Sequence, residues 1–300
     1  ETLKSYYNVD VFEAHSRDKN YLRAIMKSFL KGSFSNYKVI HATTSELGNF
    51  LNVFNAKKIV TFHDFIPFIE SSLPIEFRAI LWQLYKKSLF KANVMIANSS
   101  TTKILLEKFF GKESIIVHPP VDMKKFKFKK KSLSSKKLIL GFVSNFSFRK
   151  RVDIAIKVCG ILQNYVDCKL ILAGGSLRKS LQRHFDVYQL LEEHKIRDYE
   201  VYEEINDNLL IEIYRKIHFL IFPSEIEGFG MPIIEAQACG TPVFTLKNSI
   251  IPPEVKETSI VARNEIDIVS KILKIYENKK LYRELQRKCL ENSSKFSLSN

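Results

Sequence analysis

The sequence contains no stretch of about twenty uncharged apolar residues, so no segment reads as a conventional membrane-spanning helix. Its start lacks the basic-then-apolar pattern of a secretory signal. It opens on Glu1 rather than methionine, and Glu1–Tyr7 reads as the tail of a helix, so a first strand is expected ahead of it. The four cysteines (Cys159, Cys168, Cys239 and Cys289) form no C-x-x-C pair and lie inside apolar or helical stretches. A metal centre or disulfide framework is therefore the weaker reading, and buried reduced thiols the better one. No D-x-D pair is present to hold a divalent cation, and no nucleic-acid-binding motif is recognisable.

What the chain has in excess is positive charge, +15 at neutral pH. Such a surface attracts phosphate-rich partners of any kind, whether nucleic acid, an acidic membrane face or a nucleotide. Much of the excess lies in Lys124–Lys137, which also carries Phe126 and Phe128. That stretch reads either as a solvated linker or as a lysine-and-phenylalanine contact for an anionic membrane face.

Three hundred residues suit two domains of ordinary size. Apolar runs predict strands at Val9–His15, Val39–Thr44, Lys58–His63, Val94–Ser99 and Ser114–His118, with helices at Asp18–Lys31, Leu73–Lys91 and Thr101–Phe110. The second half predicts strands at Leu138–Val143, Lys169–Ala173, Phe219–Phe222, Val243–Leu246 and Ser259–Ala262. Its predicted helices are Val152–Tyr165, Leu177–Glu193, Asn208–Lys216, Ile233–Cys239 and Glu265–Ser293. Continuous rather than alternating apolar strands, each followed by helical pattern, imply doubly wound parallel sheets. Residues 1–130 and 131–300 are the expected domains, with ligands bound beyond the carboxyl ends of their strands.

The most specific segment is Phe222–Pro242, FPSEIEGFGMPIIEAQACGTP. A strand ends at Pro223, a loop carries Glu227, Gly228 and Gly230 permit tight turning, and Pro232 suits the first turn of a helix. Free N–H groups at such a helix start stabilise an anion, while two carboxylates there suit hydroxyls. Diphosphate and sugar hydroxyls in one ligand satisfy both demands. The spacing Glu227-x7-Glu235 around G-F-G-M-P, continued by A-Q-A-C-G-T-P-V, resembles the E-x7-E motif of glycosyltransferase family 4. These are retaining enzymes of the GT-B fold, with two Rossmann-like domains facing across a cleft.

The resemblance implies that Glu227 holds hydroxyls of the donor sugar and Glu235 the ribose diol, with backbone amides of Phe229 to Met231 supporting sugar and phosphates. Gly141–Asp153 (GFVSNFSFRKRVD) is similar to the family's phosphate-clamping loop. Lys150 falls on its lysine position, and Asn145 stands where the family has arginine. Losing that fork removes a bidentate phosphate contact, which Arg149 or Arg151 would have to supply. Leu170–Gly175 resembles the strand-to-glycine step beside the nucleotide, which includes Gly174, and Tyr202–Asn208 falls where a nucleobase-contacting loop is expected. In the first half, Lys58–Pro67 (KIVTFHDFIP) resembles the family's T-x-H-D segment, which places His63 at the cleft, with Asp64 and His41 as lesser candidates. Val117–Asp122 resembles the strand entering the linker, and Lys295–Ser299 the start of a helix crossing back to the first domain.

The function so implied is transfer of a sugar, with retained configuration, from a nucleoside-diphosphate sugar to a hydroxyl of a glycan or lipid-linked glycan. No cofactor or metal is expected; the sugar nucleotide is a co-substrate, and Lys150 would stabilise the charge growing on the departing phosphate. The expected setting is cytoplasmic, with peripheral contact to the inner membrane face. A sugar-nucleotide epimerase of the same fold and, from another class, a basic nucleic-acid-binding protein are the alternatives, the second motivated by charge alone.

Overall fold

The computed structural model describes residues 37–45, 51, 55–66, 74–133, 137–174 and 185–298. The strand expected at Val9–His15 and the helix expected at Asp18–Lys31 lie outside them.

Two all-parallel sheets organise the described residues. The first runs in sequence order, β1 (Val39–Ala42), β2 (Lys57–Phe62), β3 (Val94–Ala97) and β4 (Ile115–Ile116). Helices α1 (Ile75–Lys91) and α2 (Ser100–Phe110) make its crossovers. Its core packs Val60, Phe62 and Ala97 of the sheet against Leu106 and Phe110 of α2.

The second sheet contains β5 (Leu138–Val143), β6 (Cys168–Gly174), β7 (Tyr199–Glu203), β8 (Phe219–Ile221), β9 (Val243–Leu246) and β10 (Ile260–Ala262). Their order is β10-β9-β8-β5-β6-β7, so the strand order switches sides between β5 and β8. Brackets of apolar residues make this arrangement stable: β6, β8 and β9 are buried almost throughout, with helices over both faces. Each fully buried aliphatic side chain in them contributes about 1.5–3 kcal/mol of transfer free energy. Helices α3 (Val152–Leu162), α4 (Val187–Glu193), α5 (Asp207–Lys216), α6 (Met231–Ala238), α7 (Pro253–Lys256), α8 (Glu265–Glu277) and α9 (Lys279–Ser294) supply those faces. All four cysteines are buried and free.

Several sequence expectations need correction. β7 (YEVYE) is an edge strand whose charged, half-exposed residues hide its pairing with β6, so Tyr202 lies in a strand and not in a loop. The single helix expected over Glu265–Ser293 is two, because Asn278 ends α8 and caps α9, its side chain accepting from Leu281 N. The helix expected to begin at Lys295 does not form over the described residues: Phe296 turns back, its carbonyl accepting from Val121 N at 2.7 Å, and Ser297 bridges Val121.

The lysine-rich stretch, read as a solvated linker or membrane contact, is mostly exposed, Lys124, Lys127, Lys129 and Lys130 included, but is fixed to the second half at several points. Val121 and Phe126 belong to the second half's core. Lys125 pairs with Asp207, Lys137 with Asp198, and the buried Lys131 amine donates to the Tyr214 carbonyl at 2.6 Å and to the Thr241 hydroxyl. Burial lowers the Lys131 pKa from 10.5 to about 7. Phe128 remains 43% exposed, its ring lying over Gly240.

Candidate donor-sugar site

Three loops at the carboxyl ends of the second sheet's strands converge. The loop after β5 makes a 3-10 turn at Phe148–Lys150. Asn145 shapes it, its Oδ1 accepting from Ser147 Oγ at 2.8 Å. The loop after β8 carries Glu227, and the two loops are joined by a bond from Glu225 N to the Arg149 carbonyl at 2.9 Å. The loop after β9 completes the support, Glu227 N donating to the Ile250 carbonyl at 2.9 Å.

At the centre lies a buried ion cluster. Lys150 Nζ donates to Glu227 Oε1 at 2.5 Å, and Arg149 Nη1 stands 3.7 Å from the same oxygen while donating to the Ile226 carbonyl at 2.7 Å. Among the described residues both cations meet Oε1, and Oε2 has no partner. The Lys150 amine also sits 5.7 Å from the Phe222 ring centre. Its pKa is lowered by burial, with the Glu227 charge opposing that shift. Arg149 is thus the second cation beside Glu227. Arg151 is engaged elsewhere, with Asp153 and Glu225.

Gly228 explains why the loop must carry a glycine. A Cβ there would stand 2.4 Å from the His63 carbonyl and 2.7 Å from Asp64 Cβ, so the second half's loop touches the strand end of the first. Gly230 takes φ +101 and caps α6, a conformation open to glycine. Among the described residues, the N–H groups of Phe229, Gly230 and Met231 have no acceptor. With Pro232 having none to offer, this helix start presents donors and a positive dipole end.

From the first half, Asp64 faces the cluster. Burial raises its pKa, against the opposing influence of Ile66 N, Arg149 and His63. The His63 backbone lies against Gly228, while its imidazole Nε2 is bonded to the Thr43 carbonyl at 2.7 Å. His41 is bonded to Thr61 Oγ1 at 2.8 Å.

Glu235, one helical turn beyond Met231, accepts from the Tyr214 hydroxyl at 2.9 Å, and burial raises its pKa. Gly174 ends β6 packed on the Ser144 carbonyl, beside the Asn145 loop. The Tyr202 hydroxyl instead donates to Glu200, which is held by Lys169 and Lys216, so its phenol is turned back along β7. The sequence reading passed over Glu254 and Ser99, both within this junction. Pro-Pro-Glu opening a short helix and a run of hydroxyl residues opening α2 were the visible signals, each of which alone marks only a helix start.

Comparison with known proteins bears on family and fold. The family model described as "Glycosyl transferases group 1" matches residues 123–296. D-inositol 3-phosphate glycosyltransferase of Mycobacterium sp. (strain KMS) is 27% identical over 152 residues, 47% of this chain and 34% of that protein. The chain therefore matches about a third of that relative's length. An uncharacterized glycosyltransferase of Methanocaldococcus jannaschii is 30% identical over 161 residues, 52% of this chain and 43% of that one. Among solved structures, Anabaena HepE in complex with UDP-glucose superposes with TM-score 0.77 at 16% identity, covering 99% of this chain and 85% of that one. Sucrose-phosphate synthase from Thermosynechococcus elongatus gives TM-score 0.76 at 20% identity, covering 94% and 76%. These likenesses assign the two facing sheets to the GT-B fold.

Proposed function

Because the chain belongs to the group 1 glycosyl transferases, we propose that it transfers a sugar from a nucleoside-diphosphate sugar to a hydroxyl acceptor, with retention and without a bridging metal. The observation that carries this reading is the Glu227–Lys150–Arg149 cluster, set where the second half's loops meet His63 and Asp64.

In this reading Glu227 Oε2 accepts from sugar hydroxyls, and Lys150 and Arg149 face the diphosphate. The Phe229–Met231 amides add fixed dipoles on the same side. As the glycosidic bond breaks, positive charge grows on the sugar ring and negative charge on the departing phosphate. The two cations and the amides stabilise the second without reorganising, which is where such sites lower a barrier most. The departing phosphate takes the acceptor's proton on the face it leaves, and Glu227 positions the sugar without attacking it. Glu235, on the helix behind, takes the ribose diol in this reading.

The acceptor is proposed to be a glycan or lipid-linked glycan, reached from the cytoplasmic face of a membrane. No helix among the described residues is long and apolar enough to cross one. Support for a peripheral contact comes from the first half as well as from the exposed lysines of Lys124–Lys137. In the first half Phe90 and Phe109 are about half exposed, at 51% and 49%, with Lys86, Lys112 and Lys108 amines over their rings.

A panel of UDP, GDP and ADP sugars in thermal melts tests the reading. One nucleotide class should raise the melting temperature in a concentration-dependent way, followed by transfer to an acceptor and no epimer in its absence. A panel without any shift, or epimers formed with no acceptor, would count against it.

A further inference from the structure

The start of α2 is completed by a residue from the other half of the molecule. Ser99 caps the helix in the usual way, its Oγ accepting from Thr102 N at 3.1 Å, and it donates to the Gly228 carbonyl at 2.8 Å. Ser100 is the first helical residue, so its N–H has no acceptor within the helix. That N–H donates to Glu254 Oε1 at 2.8 Å, and the Ser100 hydroxyl donates to Oε2 at 2.6 Å. Both carboxylate oxygens are thereby used, each by a donor across the cleft. One turn of α2 also reaches back, Thr102 Oγ1 donating to the His63 carbonyl at 3.3 Å.

We propose that Glu254 is a positioning residue, a latch that grips the start of α2 and so holds the Glu227 loop opposite His63 and Asp64. The four contacts form one chain of bonds: Glu254 to Ser100, Ser99 to Gly228, Gly228 against His63, and Thr102 to His63. Burial alone would raise the Glu254 pKa; the Ser100 hydrogen bonds outweigh it and hold the carboxylate ionised below its ordinary range. The Glu254 side chain keeps 21% of its surface accessible, at the edge of the contact. His118 lies 3.9 Å from Oε1, its ring on Phe229 and Phe296, and closes the far side of the contact.

The chemistry of the latch is demanding. Ser100 offers two donors, so an acceptor is needed on both sides. Glu254→Gln keeps shape and size but turns an NH2 toward one of those donors, leaving it unsatisfied. The proposal rests on the sugar-transfer reading for its catalytic consequence, but the grip itself can be measured without any reaction.

The test compares wild type, Glu254→Gln, Ser100→Ala and the double variant in the full chain. Hydrogen exchange is followed in the peptide spanning residues 98–104, together with nucleoside-diphosphate affinity and transfer kinetics. Glu254→Gln should exchange about tenfold faster there, as expected for losing a hydrogen bond to a charged group. Its kcat should fall about tenfold while the diphosphate Kd stays within about twofold, since that ligand is held by the second half alone. The double variant should be no worse than Glu254→Gln. Wild-type exchange and turnover in Glu254→Gln would overturn the latch. So would a loss of diphosphate affinity as large as the loss of turnover, which would place Glu254 in the donor site. A wild-type protein that turns over no sugar nucleotide would sink the transfer reading, while the exchange data would still decide the latch.

Discussion

Lys150 shows how far a single residue could be read in advance and where the reading stopped. The resemblance of Gly141–Asp153 to a phosphate-clamping loop implied a phosphate-side cation, but nothing in the sequence said that the Lys150 amine would be buried against Glu227. The pairing follows from two loops that are 77 residues apart in the chain and meet in space. Breaking such a buried pair by removing one member is expensive, because the other charge is left in a poor solvent. Lys150→Met should therefore melt earlier, by about 3 kcal/mol of stability. It should also lose the stabilisation that nucleoside diphosphate gives the wild type. Thermal melts with and without the nucleotide check both; an unchanged melting temperature would mean the pair is not formed in solution. Arg149 was legible only as one of two candidates, since reach depends on the 3-10 turn that carries it. Tyr202 was placed in a loop for the opposite reason: charges around it masked a strand.

Among elements, the buried strands were the easiest to recognise. Leu138–Val143 and Val243–Leu246 form with the bounds that their apolar runs predict, because burial on both faces leaves an uninterrupted pattern. Helix ends were harder: periodicity runs on through Asn278, and only its cap geometry shows the break. The strap around Lys131 was least legible, since a run of lysines reads as solvated until its partners are known. Its consequence is a pH dependence. Between the folded value of about 7 and the ordinary 10.5, the unfolded chain holds a proton that the folded chain does not. Stability should therefore rise with pH across that window, by up to about 5 kcal/mol. Below it both states are protonated, and the full cost of burying the ammonium is present. Lys131→Met should flatten the rise and be as stable as wild type or more so at neutral pH, read from melts across the window. A slope that survives the substitution would assign it to another group.

For the whole molecule, alternating strands and helices were enough to give two parallel-sheet halves. Their relative placement was not, because it depends on contacts such as Gly228 against His63, which no local pattern encodes. The same holds for the outer surface, where helix periodicity alone would not group Phe90 and Phe109 with the lysines around them. That surface predicts binding to vesicles containing phosphatidylglycerol and weak binding to phosphatidylcholine alone, each basic side chain adding about 1 kcal/mol near an anionic face. Lys86→Glu with Lys112→Glu should lower partitioning by at least about tenfold in sedimentation assays. Equal binding to both lipids, or to neither, would remove the membrane contact.

The most direct test of the central claim is turnover by Glu227→Gln, using whichever sugar nucleotide stabilises the wild type. If Glu227 holds the sugar where the two halves meet, kcat should fall at least about a hundredfold while nucleoside diphosphate still binds. Turnover near the wild-type rate in a folded Glu227→Gln protein would contradict it.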